Sequence, residues 1–236
     1  MPVRRIEDKR LWQVRVLMLL FTIHCSLFTT FAQDEPEYRL EVGGGIGAVT
    51  YLGDFNGNLL KGMQPWGTVM VKYKMNPRMA VGATLGYGRL KGSSDRETTW
   101  YPEGRYEFGT KMIDGGLRFE YNFWPYGTGR EYRGAKRLTP YIAPGFGIAY
   151  HGGADKGIAV NLPLGAGIKY KIADRLNLAV EWRIHFSLSD KLDGVTDPYG
   201  IKSSGIFKNT DCFSILQMAL TYDLWAKCKT CHNDRD

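Results

Sequence analysis

The chain has 236 residues and a formal net charge of +7, and it is rich in glycine, with 29 residues, and in tyrosine, with 14. This length suffices for one sizeable domain, and the abundance of glycine and aromatic residues favours strands and turns over helices. The positive charge is modest and spread along the sequence, so it gives no reason to expect nucleic acid as a partner.

Residues 1–32 have the organisation of a secretory signal peptide. Five basic side chains lie before residue 16, a charge-free run covers 16–31, and the small residue Ala32 stands at its end. We therefore expect cleavage after Ala32, which leaves the mature chain with a net charge of about +4. A retained membrane anchor is the alternative, but the run is shorter than the ~20 residues of a spanning helix.

Eight segments of the mature chain alternate apolar and polar residues with the period of two that is typical of a β-strand. The predicted strands are Tyr38–Thr50, Trp66–Tyr73, Met79–Gly88, Tyr106–Phe123, Tyr141–Tyr150, Ile158–Ile172, Leu176–Leu188 and Cys212–Trp225. In the seventh, one parity is apolar throughout, whereas the other carries Glu181, Arg183 and His185. Most of these segments reach the ~9–11 residues with which a tilted strand crosses a bilayer.

The connections between the predicted strands differ in length from one end of the sheet to the other. Those at 76–77 and 173–175 are short, whereas those at 90–105 and 189–210 are long. Short periplasmic turns and long external loops are typical of outer-membrane barrels. The connection at 125–138 departs from this rule, being long on the periplasmic side, which makes it a candidate surface for partner contact.

The sequence therefore predicts an all-β fold, an eight-stranded antiparallel transmembrane β-barrel over residues 33–225, located in the bacterial outer membrane. A soluble lipocalin-like barrel is the alternative, since alternation alone does not separate the two.

The polar parity of the strands carries ten ionisable side chains that would point into the lumen. These five acids and five bases are Glu41, Lys72, Asp114, Arg118, Glu120, Lys169, Lys171, Glu181, Arg183 and Asp223. Eight strands leave an interior only wide enough for side chains, so the ten groups are expected to pair as an ionic network. The lumen is thus predicted to be polar and plugged, with a proton or solute pathway as the alternative.

No pattern of residues in the strands predicts catalysis, a metal site or a cofactor site. His185 and Ser187 share a strand face, but any two residues separated by one do so, and a hydrolase also needs an orienting acid. We expect a protein that is not an enzyme and has no metal or cofactor. An outer-membrane lipid hydrolase remains an alternative.

The last residues, 226–236, are predicted to form a periplasmic tail. Cys228 and Cys231 lie in a C-x-x-C-H sequence that ends at His232. In an oxidising compartment this pair is expected to form a disulfide, within the tail or with a partner. Metal binding and covalent haem attachment, whose motif the sequence matches, are the alternatives. Cys212 begins the eighth strand at the opposite rim, so we do not expect it to pair with the tail.

Four segments of the chain resemble the PorG family, the outer-membrane β-barrel component of the type IX secretion system of Bacteroidetes. They are GAVTYLGDFNG (47–57), LRFEYNFWPY (117–126), EWRIHFSLSDKLDGVTDPYG (181–200) and LTYDLWAKCKTC (220–231). The resemblance implies a non-enzymatic role, in which the barrel anchors a periplasmic ring of a PorK-like lipoprotein and a PorN-like protein to the outer membrane in support of protein export. It implies outer-membrane lipid and these ring proteins as partners, and it supplies no catalytic residue. A surface-binding barrel of the OmpX or OmpA type, such as an adhesin, is the alternative function.

Overall fold

The computed structural model describes residues 36–52, 62–93, 107–129, 134–152, 157–188 and 212–226. The predicted signal peptide and the cysteine-containing tail therefore lie outside the described residues. No helix among the described residues is long and apolar enough to cross a membrane.

Eight strands form one closed sheet. They are β1 (Tyr38–Leu52), β2 (Gln64–Lys74), β3 (Met79–Ser93), β4 (Glu107–Asn122), β5 (Leu138–Gly152), β6 (Gly157–Lys171), β7 (Leu176–Ser187) and β8 (Cys212–Ala226). Each strand pairs with its neighbours in sequence, and β8 closes the barrel by pairing antiparallel with β1. The prediction of an all-β, eight-stranded antiparallel barrel is confirmed.

The strands extend beyond the predicted alternation at several ends. The largest difference is in β3, which continues five residues past Gly88 to Ser93 because each of these residues pairs with β4. Backbone hydrogen bonds do not depend on side-chain polarity, so strand pairing continues past the apolar band toward the long loops. The alternation of apolar and polar residues, from which the strand was predicted, stops there.

The two ends of the barrel differ in their connections. β1 begins and β8 ends at the same end of the barrel, which we call the short-turn end. The connections at this end are 75–78, 123–137 and 172–175. The remaining connections join the strands at the opposite, long-loop end. At the predicted tight turn, the Asn76 side chain accepts hydrogen bonds from the backbone N–H groups of Arg78 and Met79, at 2.8 and 2.7 Å, as turn-forming Asn residues do.

The strand faces separate into an apolar outside and a polar inside. Ile46 is 78% exposed on the outer wall, whereas inward-facing Glu181 is 2% exposed. Exposed aromatic residues border the outer band near the short-turn end: Tyr73, Phe123, Trp124, Tyr170, Tyr222 and Trp225. An apolar wall bordered by aromatic side chains is the surface that a membrane barrel presents to lipid.

Candidate functional site

A network of seven ionisable side chains fills the lumen near the short-turn end. Its members are Glu41, Lys72, Lys74, Glu120, Lys169, Lys171 and Asp223. Lys72 Nζ lies 2.9 Å from a Glu120 oxygen and 3.3 Å from a Glu41 oxygen. Lys74 Nζ extends this series of ion pairs, at 3.1 Å from Glu41 and 2.5 Å from Asp223. Because positive and negative groups alternate along the series, their attraction offsets the cost of desolvating each buried charge.

Lys169 and Lys171 connect this network to aromatic and amide groups. Lys169 pairs with Glu120, and its Nζ lies 4.5 Å from the centroid of the Tyr126 ring. Lys171 Nζ lies 2.5 Å from Asp223 and 3.2 Å from the side-chain oxygen of Asn177. Each buried ammonium group therefore has both a carboxylate and a second polar or aromatic partner.

The middle of the lumen holds one carboxylate between two guanidinium groups. Glu181 Oε1 lies 2.6 Å from Arg118 and 2.5 Å from Arg183, while Glu181 Oε2 accepts a hydrogen bond from the Tyr141 hydroxyl at 2.8 Å. The three charged residues are 1–5% exposed. The Glu181 carboxylate therefore joins Arg118 of β4, across the barrel, to Arg183 of its own strand β7.

A third polar group lies closer to the long-loop end. Asn161 donates to Asp114 at 2.8 Å, and its oxygen lies 3.0 Å from His185 Nδ1. The His185 ring stacks on Phe213 with centroids 4.2 Å apart. Ser187 and His185 are both buried in the lumen, so the pair considered for a lipid hydrolase faces away from the lipid.

The long-loop end of the lumen contains an apolar cluster, which the prediction of a polar, plugged lumen did not include. The buried cluster there consists of Val49, Tyr51, Trp66, Leu90, Met112, Ala149, Ala159, Phe213 and Ile215. The sequence signal for it is the run Phe213–Ile215, in which apolar residues occupy the inward parity of β8. The barrel is thus plugged by two different chemistries, ion pairs near one end and packed apolar side chains near the other.

Inward-facing glycines make room for the large lumen side chains. A Cβ at Gly167 would lie 2.9 Å from the Tyr141 ring, and a Cβ at Gly86 would overlap the Trp66 indole. Because close-packed interiors relax little, a larger residue at either position would displace the neighbouring ring.

The 123–137 connection packs against the short-turn end of the lumen. Tyr126 is 7% exposed, and its hydroxyl donates to Asn177 at 2.8 Å. Burial, and next the Glu41 and Asp223 carboxylates, raise the pKa of the Tyr126 hydroxyl, so this hydroxyl stays protonated as a hydrogen-bond donor. Gly127 donates to Lys136 O at 3.1 Å, which closes the base of the connection.

The 125–138 connection stays a predicted contact surface, and its packing shows which of its described residues are accessible. Tyr126, Gly127, Thr128 and Ala135 are buried, because these residues pack against the short-turn end of the lumen. Among its described residues, the exposed ones are Phe123 and Trp124 at its start, Gly129 and Gly134, and Lys136 near its end.

All ten predicted lumen residues lie inside the barrel, and the structure divides them into the three groups described above. Lys74 is a member that the sequence prediction missed, because the predicted second strand ended at Tyr73. The sequence prediction also did not include the uncharged residues that hydrogen-bond to the network, although these residues are on the inward parity of their strands. They are Tyr141, Asn161, Asn177 and Gln217. Cys228 and Cys231 lie outside the described residues. Within the described part of the chain, His, Cys, Asp and Glu side chains form no group suited to a metal ion.

We expect the reconstituted protein to show no steady, large conductance in a planar lipid bilayer. Ion pairs cross the lumen near the short-turn end and in the middle, and apolar side chains pack near the long-loop end. A barrel of eight strands is too narrow to hold a column of water beside these side chains. A porin measured in the same membrane serves as the positive control. A stable ohmic pore would contradict the plugged lumen.

Comparisons with known proteins place this barrel among outer-membrane proteins. Residues 17–206 match the model of the outer membrane protein beta-barrel domain family. The structure is similar to Neisserial surface protein A, with a TM-score of 0.50 and 11% identity over 78% of this chain and 97% of that one. It is also similar to OprG of Pseudomonas aeruginosa, with a TM-score of 0.47 and 11% identity over 82% and 99% of the two chains. No curated protein sequence matches the chain. At these identities the structural matches show the fold alone.

Proposed function

Because the chain belongs to the outer membrane protein beta-barrel domain family, we propose that it acts as a non-enzymatic barrel in the outer membrane and anchors a periplasmic assembly there. The specific role is that of a PorG-like component of the type IX secretion system, which holds a ring of a PorK-like lipoprotein and a PorN-like protein. The partners are thus membrane lipid and these ring proteins.

The observation that carries this proposal is the plugged lumen. Buried ion pairs join β2, β4, β6, β7 and β8 across the barrel, and the lumen groups considered for chemistry have no contact with lipid. A barrel that neither conducts nor exposes a catalytic group acts through its rims. Rigid elements held by packing are also the supports on which binding surfaces are best built.

The short-turn end supplies a surface of this kind. Trp124 is 40% exposed, and Lys136 Nζ lies 4.7 Å from the centroid of its ring. Trp225 is 66% exposed and has a φ of 56°, a left-handed backbone that costs a non-glycine residue roughly 1–3 kcal/mol. Tryptophan is one of the residue types that most often anchor protein interfaces.

Two segments of the family resemblance meet at this end. The segment 117–126 covers the end of β4 and the start of the connection, and 220–231 covers the end of β8 and the tail. In outer-membrane barrels the short turns face the periplasm, which is where the ring of a type IX system would lie.

We expect Trp124→Ala combined with Trp225→Ala to lower recovery of the periplasmic ring proteins by about tenfold or more, as loss of interface anchors does. Removal of Lys227–Asp236 is expected to weaken recovery and secretion as well. These variants keep β8 complete, since Ala226 pairs with Tyr38, and they leave Tyr126 in the lumen. The measurements are pull-down from native outer membranes and export of cargo with a C-terminal sorting domain.

Heat-modifiable migration in gels shows whether each variant forms the barrel. The matched control is Tyr150→Ala, which removes an exposed aromatic residue of β5 nearer the long-loop end. Replacement of the external loops at 94–106 and 189–211 tests the surface-binding alternative. Wild-type pull-down and export in the short-turn variants, with loss of function in the loop variants, would favour that alternative.

A further inference from the structure

An apolar groove runs along the outer wall of the barrel over β1, β2 and β3. Its volume is about 1380 Å³. Its floor contains two outward-facing glycines, Gly44 and Gly67, and its walls include Ile46 and Tyr87. Gly67 lies opposite Ile46 in the β1–β2 ladder and opposite Tyr87 in the β2–β3 ladder. Arg89 lines the groove at the end nearer the long loops.

Three exposed cations lie together at that end of the groove. Arg89 is directly opposite Lys111 in the β3–β4 ladder, and Lys91 is the next outward residue of β3. Among the outward positions of the described strands near the long-loop end, the charged residues are these three cations and one acid, Glu107, which is opposite Ser93. Like charges directly opposite each other in a ladder destabilise a sheet, so a bound anion would stabilise this part of the wall.

We propose that the groove binds a phosphorylated lipid of the outer leaflet, with an acyl chain over Gly44 and Gly67 and phosphate between Arg89, Lys91 and Lys111. The apolar floor lies within the band that contacts acyl chains, and the cations lie where this band ends, at the depth of the headgroups. With the long loops outside the cell, this end is in the outer leaflet. The site is independent of the export function proposed above.

The charge of the groove favours a lipid over a second copy of the barrel. The outward positions of the described strands hold one acidic residue, Glu107 at the start of β4, against the three cations beside it, so another copy would bring the same excess of positive charge to the contact. A phosphorylated lipid supplies both an apolar chain and the anion. Lys and Arg near a membrane surface attract anionic headgroups in this way.

The test uses the full chain, purified in mild detergent and delipidated, with native mass spectrometry as the readout. The probes are bisphosphorylated lipid A and the same lipid with both phosphates removed. We expect the wild type to bind the phosphorylated form on the order of 100-fold more tightly, from three cations near one headgroup. The triple variant R89Q/K91Q/K111Q is expected to bind both forms equally.

A second variant tests whether the acyl chain binds over Gly67. A Cβ at Gly67 would have no atom within 4 Å, so the side chain of Gly67→Leu starts in open space and extends into the groove. It is expected to weaken binding of both lipids by about tenfold or more, because the chain loses its apolar contacts. The matched controls are Arg39→Gln, at the short-turn end, and Ala166→Leu, outward on β6; both are expected to bind as the wild type does.

Three results would overturn the proposal. They are equal binding of the two lipids by the wild type, retained preference in the triple variant, and unchanged binding by Gly67→Leu. Competition by millimolar inorganic phosphate as effective as that by the lipid would also overturn it, since the site would then hold a free anion. Heat-modifiable migration confirms that each variant forms the barrel.

Discussion

Replacing Glu181 by leucine is expected to lower the free energy of unfolding of the barrel by roughly 3–5 kcal/mol, the cost of removing one partner from a buried ion pair. Glu181 is the carboxylate between Arg118 and Arg183, at 2.6 and 2.5 Å. Without it, two guanidinium groups remain buried next to each other, and the Tyr141 hydroxyl also loses its acceptor. Urea titration of the protein in detergent micelles, followed by tryptophan fluorescence, measures this loss.

Two further variants separate the charge effect from general damage. The triple variant R118M/E181L/R183M removes all three charges together and is expected to recover most of the lost stability, because apolar residues of similar volume often replace a buried ion group without cost. Asp174→Asn removes a more exposed pair, with Arg137 at 3.5 Å, and is expected to cost at most about 1 kcal/mol. Equal stability of the wild type and the Glu181→Leu variant would show that the lumen is hydrated and not tightly packed.

Replacing Val180 or Leu164 by arginine is expected to destabilise the inserted barrel by roughly 2–4 kcal/mol, the cost of a basic residue on the lipid face near the bilayer midplane. The two side chains are 46% and 53% exposed on the outer wall. In water such positions would tolerate a charge, so the size of the loss reports contact with lipid. Unfolding by urea in lipid vesicles gives the free energies.

The matched control for this pair is Ala179→Ser, a small polar change on the lumen side of the same strand. Ala179 is 8% exposed and packs with Met70, Tyr141, Ala143 and Ala219, so a larger polar residue would clash, whereas serine fits with a smaller loss. A loss at Ala179→Ser as large as at Val180→Arg would contradict the assignment of the outer wall to lipid.

The alternation of residues determined which face of each strand is polar, and the structure has the same faces. This follows from geometry, because successive Cβ atoms of a strand point to opposite sides whatever its neighbours are. The glycine and aromatic content, the number of alternating segments and the short turns at 76–77 and 173–175 were also sufficient for the fold class. The apolar plug was less apparent, because at Phe213 and Ile215, which flank Ser214, the apolar residues occupy the parity that is polar in the rest of β8.

Only the tertiary structure decided which lumen side chains meet. Arg118 and Glu181 are 63 residues apart in sequence, and Tyr126 and Asn177 are 51 apart, yet each pair shares a hydrogen bond. Parity places a side chain inside the barrel, but its height and its partner depend on the register of every ladder between the two strands, which one strand's sequence does not specify. Tyr126 is the clearest case that the sequence could not predict, because it lies in a connection, where residues have no strand periodicity. Its position in the lumen follows from the packing of that connection against the end of the closed barrel.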